Sequence, residues 1–327
     1  MKQFLKSVKN KRILITTHDI VDIDGLASCF TLKFFLINKI KNQGVSIYFS
    51  ELSKRTQNFL NKFSQKYPDF PIYYLNTIDL SSFNIILILD ANNLNQINLG
   101  NNKDIKDSGI PYIFIDHHYM NNKSLMSSLN LIFDKYSSTA EIVFELIKFY
   151  RISLTNPIRT LLISAIITDS GFFKHGNNKT IHNISKLMDK DILLQDINFL
   201  LKKEIDISEK IAKIKAMQRV ELIKKGEFLI GVTNVSSYGA SVASTLIRLG
   251  CDIAIVYTKE KNQYRINTRA KKLVCIETGL NLAKILEEFS DKYNGNGGGH
   301  DGAAALEVDS ESGFNINLII ERVKDYL

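Results

Sequence analysis

Short β-branched runs alternate with longer amphipathic ones along the first half of the chain. RILITT (12–17) and VSIYFS (45–50) are apolar, bounded by polar residues and too short for buried helices, so they predict strands. PIYYL (71–75), NIILILD (84–90) and PYIFID (111–116) predict three more. Between and after them, apolar positions recur at helical spacing in 25–42, 55–67, 138–151 and 158–170. Strands and helices alternating at these lengths predict a mostly parallel sheet with helices on both faces. From about 178 to 225 the pattern is charged and helical, with no strand signal. A second alternation starts at EFLIGVTNV (227–235), followed by a helix (240–250), strands (252–260 and 263–270) and a helix (279–289). A glycine-rich loop and a last strand and helix close the chain. The expected fold class is α/β in two domains: 1–185, a helical connector at 186–225, and a smaller domain at 226–327.

Composition narrows the class. Hydrophobic residues make up 45% and charged residues 23% of the 327, the balance of a globular protein. Lys plus Arg exceed Asp plus Glu by 42 − 34 = +8, which suits an anionic partner such as a nucleic acid or nucleotide. No apolar run approaches the roughly 20 residues that span a bilayer, and the basic start has no cleavage site, so no membrane role is expected. Cys29, Cys251 and Cys275 are far apart and odd in number, which predicts reduced thiols and a cytoplasmic protein.

The chemistry concentrates where strands end. The first strand runs into THDIVDIDGLAS, placing His18, Asp22 and Asp24 just beyond it. The strand at 84–89 ends in Asp90, the strand at 111–115 in Asp116-His117-His118, and the helix at 158–168 in Asp169. In an open α/β sheet, ligands bind in the crevice beyond the carboxyl ends of the strands. Any one of these aspartates would ordinarily be a turn or helix cap. Together they would repel one another unless neutralised, and a carboxylate and imidazole set suits Mn²⁺, Mg²⁺ or Zn²⁺. Two ions sharing a carboxylate, about 3.5–4 Å apart, activate water for in-line attack on phosphorus.

This pattern resembles the DHH phosphoesterase superfamily, named for the tripeptide found here at 116–118. His18 through Ser28 is similar to its first motif, with Val21 where the family has proline. Asp90, Asp116-His117-His118 and Asp169-Ser170-Gly171-Phe172-Phe173 are similar to the other three. The resemblance implies one ion on His18, Asp22 and Asp90, and another on Asp24, Asp90, His117 and Asp169. Asp90 would bridge them, His118 would face the scissile phosphate, and Asp116 would orient the histidines. The implied cofactors are two divalent ions, Mn²⁺ first, with Mg²⁺ or Co²⁺ as substitutes.

Near the end, NGNGGGHDGAAAL (294–306) is similar to the substrate signature of the DHH-associated domain, with Ala305 at its usual last glycine. Gly297, Gly298 and Gly299 would offer backbone N–H groups to an anion beside His300. Arg269 resembles the family's substrate arginine, with Asn267 and Ala270 as departures, and Arg265 is a weaker candidate. His175 and His182 read as an exposed loop residue and a helix-surface residue. The resemblance to NrnA-like nanoRNases implies hydrolysis of short single-stranded oligonucleotides and nucleotides, and it is compatible with a homodimer and with a catalytic cleft between the domains. A RecJ-like exonuclease on longer single strands and a scaffold that has lost catalysis are the rival expectations.

Overall fold

The computed structural model describes residues 2–100, 105–118, 129–202, 205–259, 263–310 and 312–327. The chain divides into two compact units, Met1–Lys203 and Glu204–Leu327.

The first unit begins with α1 (Lys2–Val8), β1 (Ile13–Thr16), β2 (Ile20–Val21) and α2 (Ile23–Ile40). It continues through β3 (Val45–Ile47), β4 (Glu51–Leu52), α3 (Lys54–Lys66), β5 (Ile85–Leu89), β6 (Tyr112–Asp116) and β7 (Leu129–Ile132). Helices α4 (Thr139–Phe149), α5 (Asn156–Asp169), α6 (Asn178–Leu187) and α7 (Leu194–Leu201) complete it. The main sheet has the order β3-β1-β5-β6-β7, and every pairing is parallel. Successive strand residues face opposite sides. Ile13, Ile15, Leu87, Leu89, Ile113 and Ile115 join the core built with α2, α4 and α5. Leu14, Ile86, Ile88, Tyr112 and Phe114 pack on the other face against Leu80 and Leu94 of two short helical turns, and against Leu99 and Ile105. Both faces are covered, which is why these strands read as unbroken apolar runs. The order reverses beside β1, so β1 and β5 are neighbours at the switch point of the sheet.

The second unit contains α8 (Ile207–Gln218), β8 (Glu221–Lys225), β9 (Phe228–Asn234), α9 (Gly239–Leu249), β10 (Ile253–Lys259) and β11 (Gln263–Ala270). After these come α10 (Lys272–Thr278), α11 (Leu282–Lys292), β12 (Asn296–His300), β13 (Ala303–Asp309) and α12 (Ile316–Lys324). Its sheet has the order β12-β13-β11-β10-β9-β8, with only β9 and β10 parallel. One face buries Ile255, Ile266 and Leu306 against Ile285, Leu286 and Phe289 of α11 and Ile319 of α12. The other buries Ala254 and Val256 against Val242 and Leu246 of α9.

Several expectations are corrected. Residues 71–75 form no strand; only Leu75 bridges to Tyr48. The expected helical stretch before 225 contains strand β8, which pairs with β9. The chain divides after Lys203, so α6 and α7 stay with the first unit and α8 and β8 with the second, rather than forming a separate connector. Glu260, at the end of the expected strand 252–260, lies outside the described residues. The glycine run is an edge strand, not a loop: His300 pairs with Ala303 and Gly298 with Ala305.

Packing explains part of that glycine run. A Cβ at Gly297 would come within 3.0 Å of the Leu286 carbonyl oxygen, and one at Gly299 within 2.3 Å of the Ala303 carbonyl oxygen. Gly299 also has φ +151°, where an L side chain is strained. Gly299→Ala should therefore destabilise the protein by about 2–4 kcal/mol, read as a lower denaturant midpoint with unchanged slope. An unchanged midpoint would show that glycine there is not a folding requirement. Gly298 differs, since a Cβ would meet only the Glu287 Oε1 atom, at 4.0 Å.

Candidate metal centre

Parallel pairing brings the carboxyl ends of β1, β5 and β6 to one edge of the sheet, and the acidic and imidazole side chains gather there. His18 and Asp90 follow the two strands at the switch point. Asp90 has φ +54°, an uncommon conformation for a residue with a side chain, held by its N–H donating to the Ile115 carbonyl oxygen at 3.0 Å. This bend turns the Asp90 carboxylate into the cluster.

The Asp90 carboxylate faces both ways. Its Oδ2 lies 3.6 Å from His18 Nε2, and its Oδ1 lies 3.7 Å from His117 Nε2. On the first side, His18 Nε2 is 3.6 Å from Asp22 Oδ1. On the second, His117 Nε2 is 3.0 Å from Asp169 Oδ2. The ligand atoms of His18, Asp22 and Asp90 lie within 4.8 Å of one another, and so do those of Asp24, His117 and Asp169. The structure thus gathers all six expected ligand residues into two groups joined by Asp90.

Their surroundings prepare these groups for cations. Asp22 caps α2, its Oδ1 accepting from Gly25 N at 2.9 Å, so the capping role and the ligand position coincide. Asp24 is almost wholly buried and accepts the Thr139 and Ala140 amides, at 2.7 and 3.0 Å, at the N-terminus of α4. Thr139 Oγ1 donates to Asp90 Oδ1 at 3.0 Å. His117 Nδ1 lies 3.3 Å from the Tyr136 carbonyl oxygen, which can only accept, so its Nε2 is the nitrogen turned toward the carboxylates.

The fit to metal ions rests on the polar atoms left over. His117 Nε2 and Asp169 Oδ2 are buried and face each other at 3.0 Å, yet neither has a hydrogen-bond partner among the described residues. Burial, and then the charges of Asp90, Asp169 and Asp22, push the Asp24 carboxyl well above its usual range. Burial raises Asp90 too. Burial opposes charge on His18, but Asp22 and Asp90 overcome it and hold the imidazole at about 10. Protons sit where cations are wanted. The donor set is rich in oxygen and contains nitrogen, as borderline and hard divalent ions require. His18, Asp22 and Asp90 would hold one ion; Asp24, Asp90, His117 and Asp169 the other. Such ions polarise phosphoryl oxygens and lower the pKa of bound water.

Asp116 and His118 stand beside these groups. Asp116 is fully buried, and its Oδ1 accepts from His117 N at 2.8 Å and lies 2.8 Å from His118 Nδ1. The hydrogen bond to Asp116 raises the pKa of His118 to about 9 against the opposing effect of burial. The His118 side chain is 56% exposed and lies 3.8 Å from Asp90 Oδ1. It is a positioned cation that can reach solvent and a ligand.

In the second unit, Ala303 pairs with Arg269 on one side and with His300 on the other. Directly opposed residues share a face, so Arg269, Ala303 and His300 form one row across three strands. Arg269 and His300 are two strand spacings apart, about 9.5 Å. Both are exposed, and the small Ala303 and Ala305 leave the row uncovered. Arg265, on the same face, is tied to Glu307 at 2.6 Å, whereas Arg269 makes no ion pair among the described residues. His175 is exposed beside Gly171, and His182 is exposed on α6. Sequence reasoning missed the Thr139 and Ala140 amides and the Tyr136 carbonyl. The only signal was the capping pattern Ser138…Glu141 that starts α4.

A parallel sheet whose switch point presents paired acid and imidazole groups, followed by a smaller mixed-sheet unit, is an arrangement suited to a hydrolase of the metal-dependent phosphoesterase class. Residues 12–166 match the DHH family, N-terminal domain, and residues 240–327 match the DHHA1 domain. The chain thus carries a DHH-family N-terminal domain followed by a DHHA1 domain. It is 28% identical over 326 residues to an uncharacterized protein of Methanocaldococcus jannaschii, covering 98% of this chain and 94% of that one. It is 26% identical over 229 residues to a probable manganese-dependent inorganic pyrophosphatase of Bacillus pumilus, covering 68% and 69%. An exopolyphosphatase-related protein from Bacteroides fragilis shares the fold, with TM-score 0.65, 17% identity, and 99% and 94% of the two chains covered. Among the described residues, no helix is long and apolar enough to cross a membrane.

Proposed function

We propose that this protein is a Mn²⁺-dependent phosphodiesterase that hydrolyses short single-stranded oligonucleotides, including dinucleotides, to mononucleotides. The observation that carries the reading is the open row Arg269–Ala303–His300 in a chain whose other unit holds the paired acid and imidazole groups. Arg269 offers a guanidinium to phosphate oxygens, and His300 adds a donor about 9.5 Å away. As an edge strand, β12 leaves the amides of alternate residues unpaired by the sheet, so part of the glycine run remains available to an anion. In this reading, Arg269, His300 and the unpaired amides among Gly297, Gly298 and Gly299 hold a terminal phosphate. His18, Asp22, Asp24, Asp90, His117 and Asp169 hold the ions at the scissile phosphate. Protonated His118, steadied by Asp116, donates to an oxygen on which charge develops. A grip on a terminal phosphate favours substrates that present a chain end, and short chains present the most ends per nucleotide. Adenosine 3′,5′-bisphosphate is a second candidate substrate.

Product analysis with Mn²⁺ on a dinucleotide, a 5-mer, a 24-mer, adenosine 3′,5′-bisphosphate and pyrophosphate tests this reading. Rapid turnover of the 2- to 5-mers with a stalled 24-mer supports it. Processive loss of the 24-mer would point to an exonuclease on longer strands. Preferential hydrolysis of pyrophosphate, the substrate in the name of the Bacillus pumilus relative, would replace the nucleotide reading altogether.

Arg269→Ala should raise KM for the 5-mer roughly tenfold to a hundredfold, with kcat within about threefold, as expected when a charge-assisted hydrogen bond made before and during reaction is lost. Unchanged KM would remove Arg269 from the substrate grip.

A further inference from the structure

Beyond Asp169 the chain makes a tight turn in a sparsely populated backbone conformation. Gly171, Phe172 and Phe173 are all left-handed, with φ of +62°, +56° and +69°. Glycine accepts this readily, but a phenylalanine does not, and here two follow in succession. Local hydrogen bonds hold the turn. Phe172 N donates to the Ile167 carbonyl oxygen at 2.8 Å, Phe173 N to the buried Ser170 Oγ at 3.2 Å, and His175 N to the Ser170 carbonyl oxygen at 2.9 Å. A strained backbone is usually compensated by burying the side chains it carries. These rings are instead 54% and 40% exposed. Strain without compensating burial points to a use at the surface.

The position narrows that use. Asp169, three residues before Phe172, contributes the oxygen 3.0 Å from His117 Nε2, so the rings are carried on the strand of chain that leaves the metal centre. The Arg55 guanidinium lies over the Phe172 ring at 5.8 Å from its centroid. Arg55, exposed in the first turn of α3, lines the same small depression as Ile23, which sits between the two acidic residues of the first motif. An exposed π-face and a cation are thus brought together from two separate elements, one of which runs on from Asp169 of the metal centre.

We propose that Phe172 and Phe173, backed by Arg55, form a stacking platform for the nucleobase next to the scissile phosphate. This rests on the phosphodiesterase reading above and specifies it: the substrate must carry a planar base beside the bond that breaks. Inorganic pyrophosphate and polyphosphate have no surface to offer these rings. Base–aromatic stacking tolerates any base, so the platform would favour nucleotides without reading sequence.

The test uses the full-length protein with Mn²⁺ and two substrates, a dinucleotide and its analogue lacking one base. Wild type should prefer the base-bearing substrate in kcat/KM by roughly tenfold to a hundredfold. In Phe172→Gly and in the double variant with Phe173→Gly, this ratio should collapse toward one, mainly through KM. Glycine suits the left-handed backbone, so both variants should keep or raise Tm, whereas loss of a structural ring would lower it. Arg55→Ala should give a smaller loss in the same direction. If wild type cleaves the dinucleotide and the variants keep its preference, the platform is wrong and the phosphodiesterase reading stands. If wild type cleaves pyrophosphate and neither dinucleotide, both fall.

Discussion

Asp90→Asn is expected to abolish the proposed Mn²⁺-supported phosphodiesterase activity, lowering kcat by at least about a thousandfold, while leaving the metal-free protein folded. Among the described residues, Asp90 is the one carboxylate whose two oxygens approach both His18 and His117, at 3.6 and 3.7 Å. Asparagine keeps the shape, tolerates a φ of +54° better than most residues and can still accept from Thr139 Oγ1. It removes the charge shared by the two groups. Scanning calorimetry should therefore show a metal-free Tm near that of wild type and little rise on adding Mn²⁺, because an ion that no longer binds contributes no linkage. Substantial activity in Asp90→Asn with Mn²⁺ supplied would sink the shared-carboxylate arrangement. Collapse of the metal-free protein would instead show Asp90 to be a folding residue.

Much of this centre was legible because its residues occupy the ends of elements whose polarity the sequence already determines. The alternation of strands and helices predicted a mostly parallel sheet, and the parallel pairing of β5 with β6 brings Asp90 and Asp116 out on one edge. What stayed hidden depends on contacts distant in sequence. The Asp24 carboxylate accepts amides from Thr139 and Ala140, more than a hundred residues away, and no local pattern announces that pairing. The ELIKK strand mixes charges and apolar residues in a way that fits either period, and pairing with β9 decides it. Asn296–His300 has no side-chain preference for a sheet at all. It becomes a strand because β13 offers a ladder and because only glycine at 297 and 299 fits the space. Backbone packing is thus one cause of the glycine run, independent of any ligand. Residues 71–75 show the reverse error: strong β preference in PIYYL without a neighbour to pair with beyond Tyr48.

The affinity for Mn²⁺ should rise steeply with pH, by roughly tenfold per pH unit for each proton displaced, and so by roughly a hundredfold per ion between pH 6.5 and 8.5. His18 must be neutral to bind an ion, yet beside Asp22 and Asp90 it keeps its proton up to about 10 in the metal-free protein. His117 is likewise raised; burial opposes its charge, but Asp169 and Asp90 prevail. Each ion therefore competes with a proton that the carboxylates themselves retain. The metal-free protein should respond with the opposite sign. A histidine whose folded pKa is raised stabilises the fold fully below its ordinary value near 6.5, and that contribution is lost as pH climbs through about 10. Over the same window the metal-free Tm should fall while the increment produced by Mn²⁺ grows. Calorimetric titration in two buffers of different protonation enthalpy measures the protons released. About one per ion near pH 7 is the expected count. Zero release would mean that neither His18 nor His117 gives up a proton to a metal, and the ligand sets drawn from the geometry would have to be abandoned.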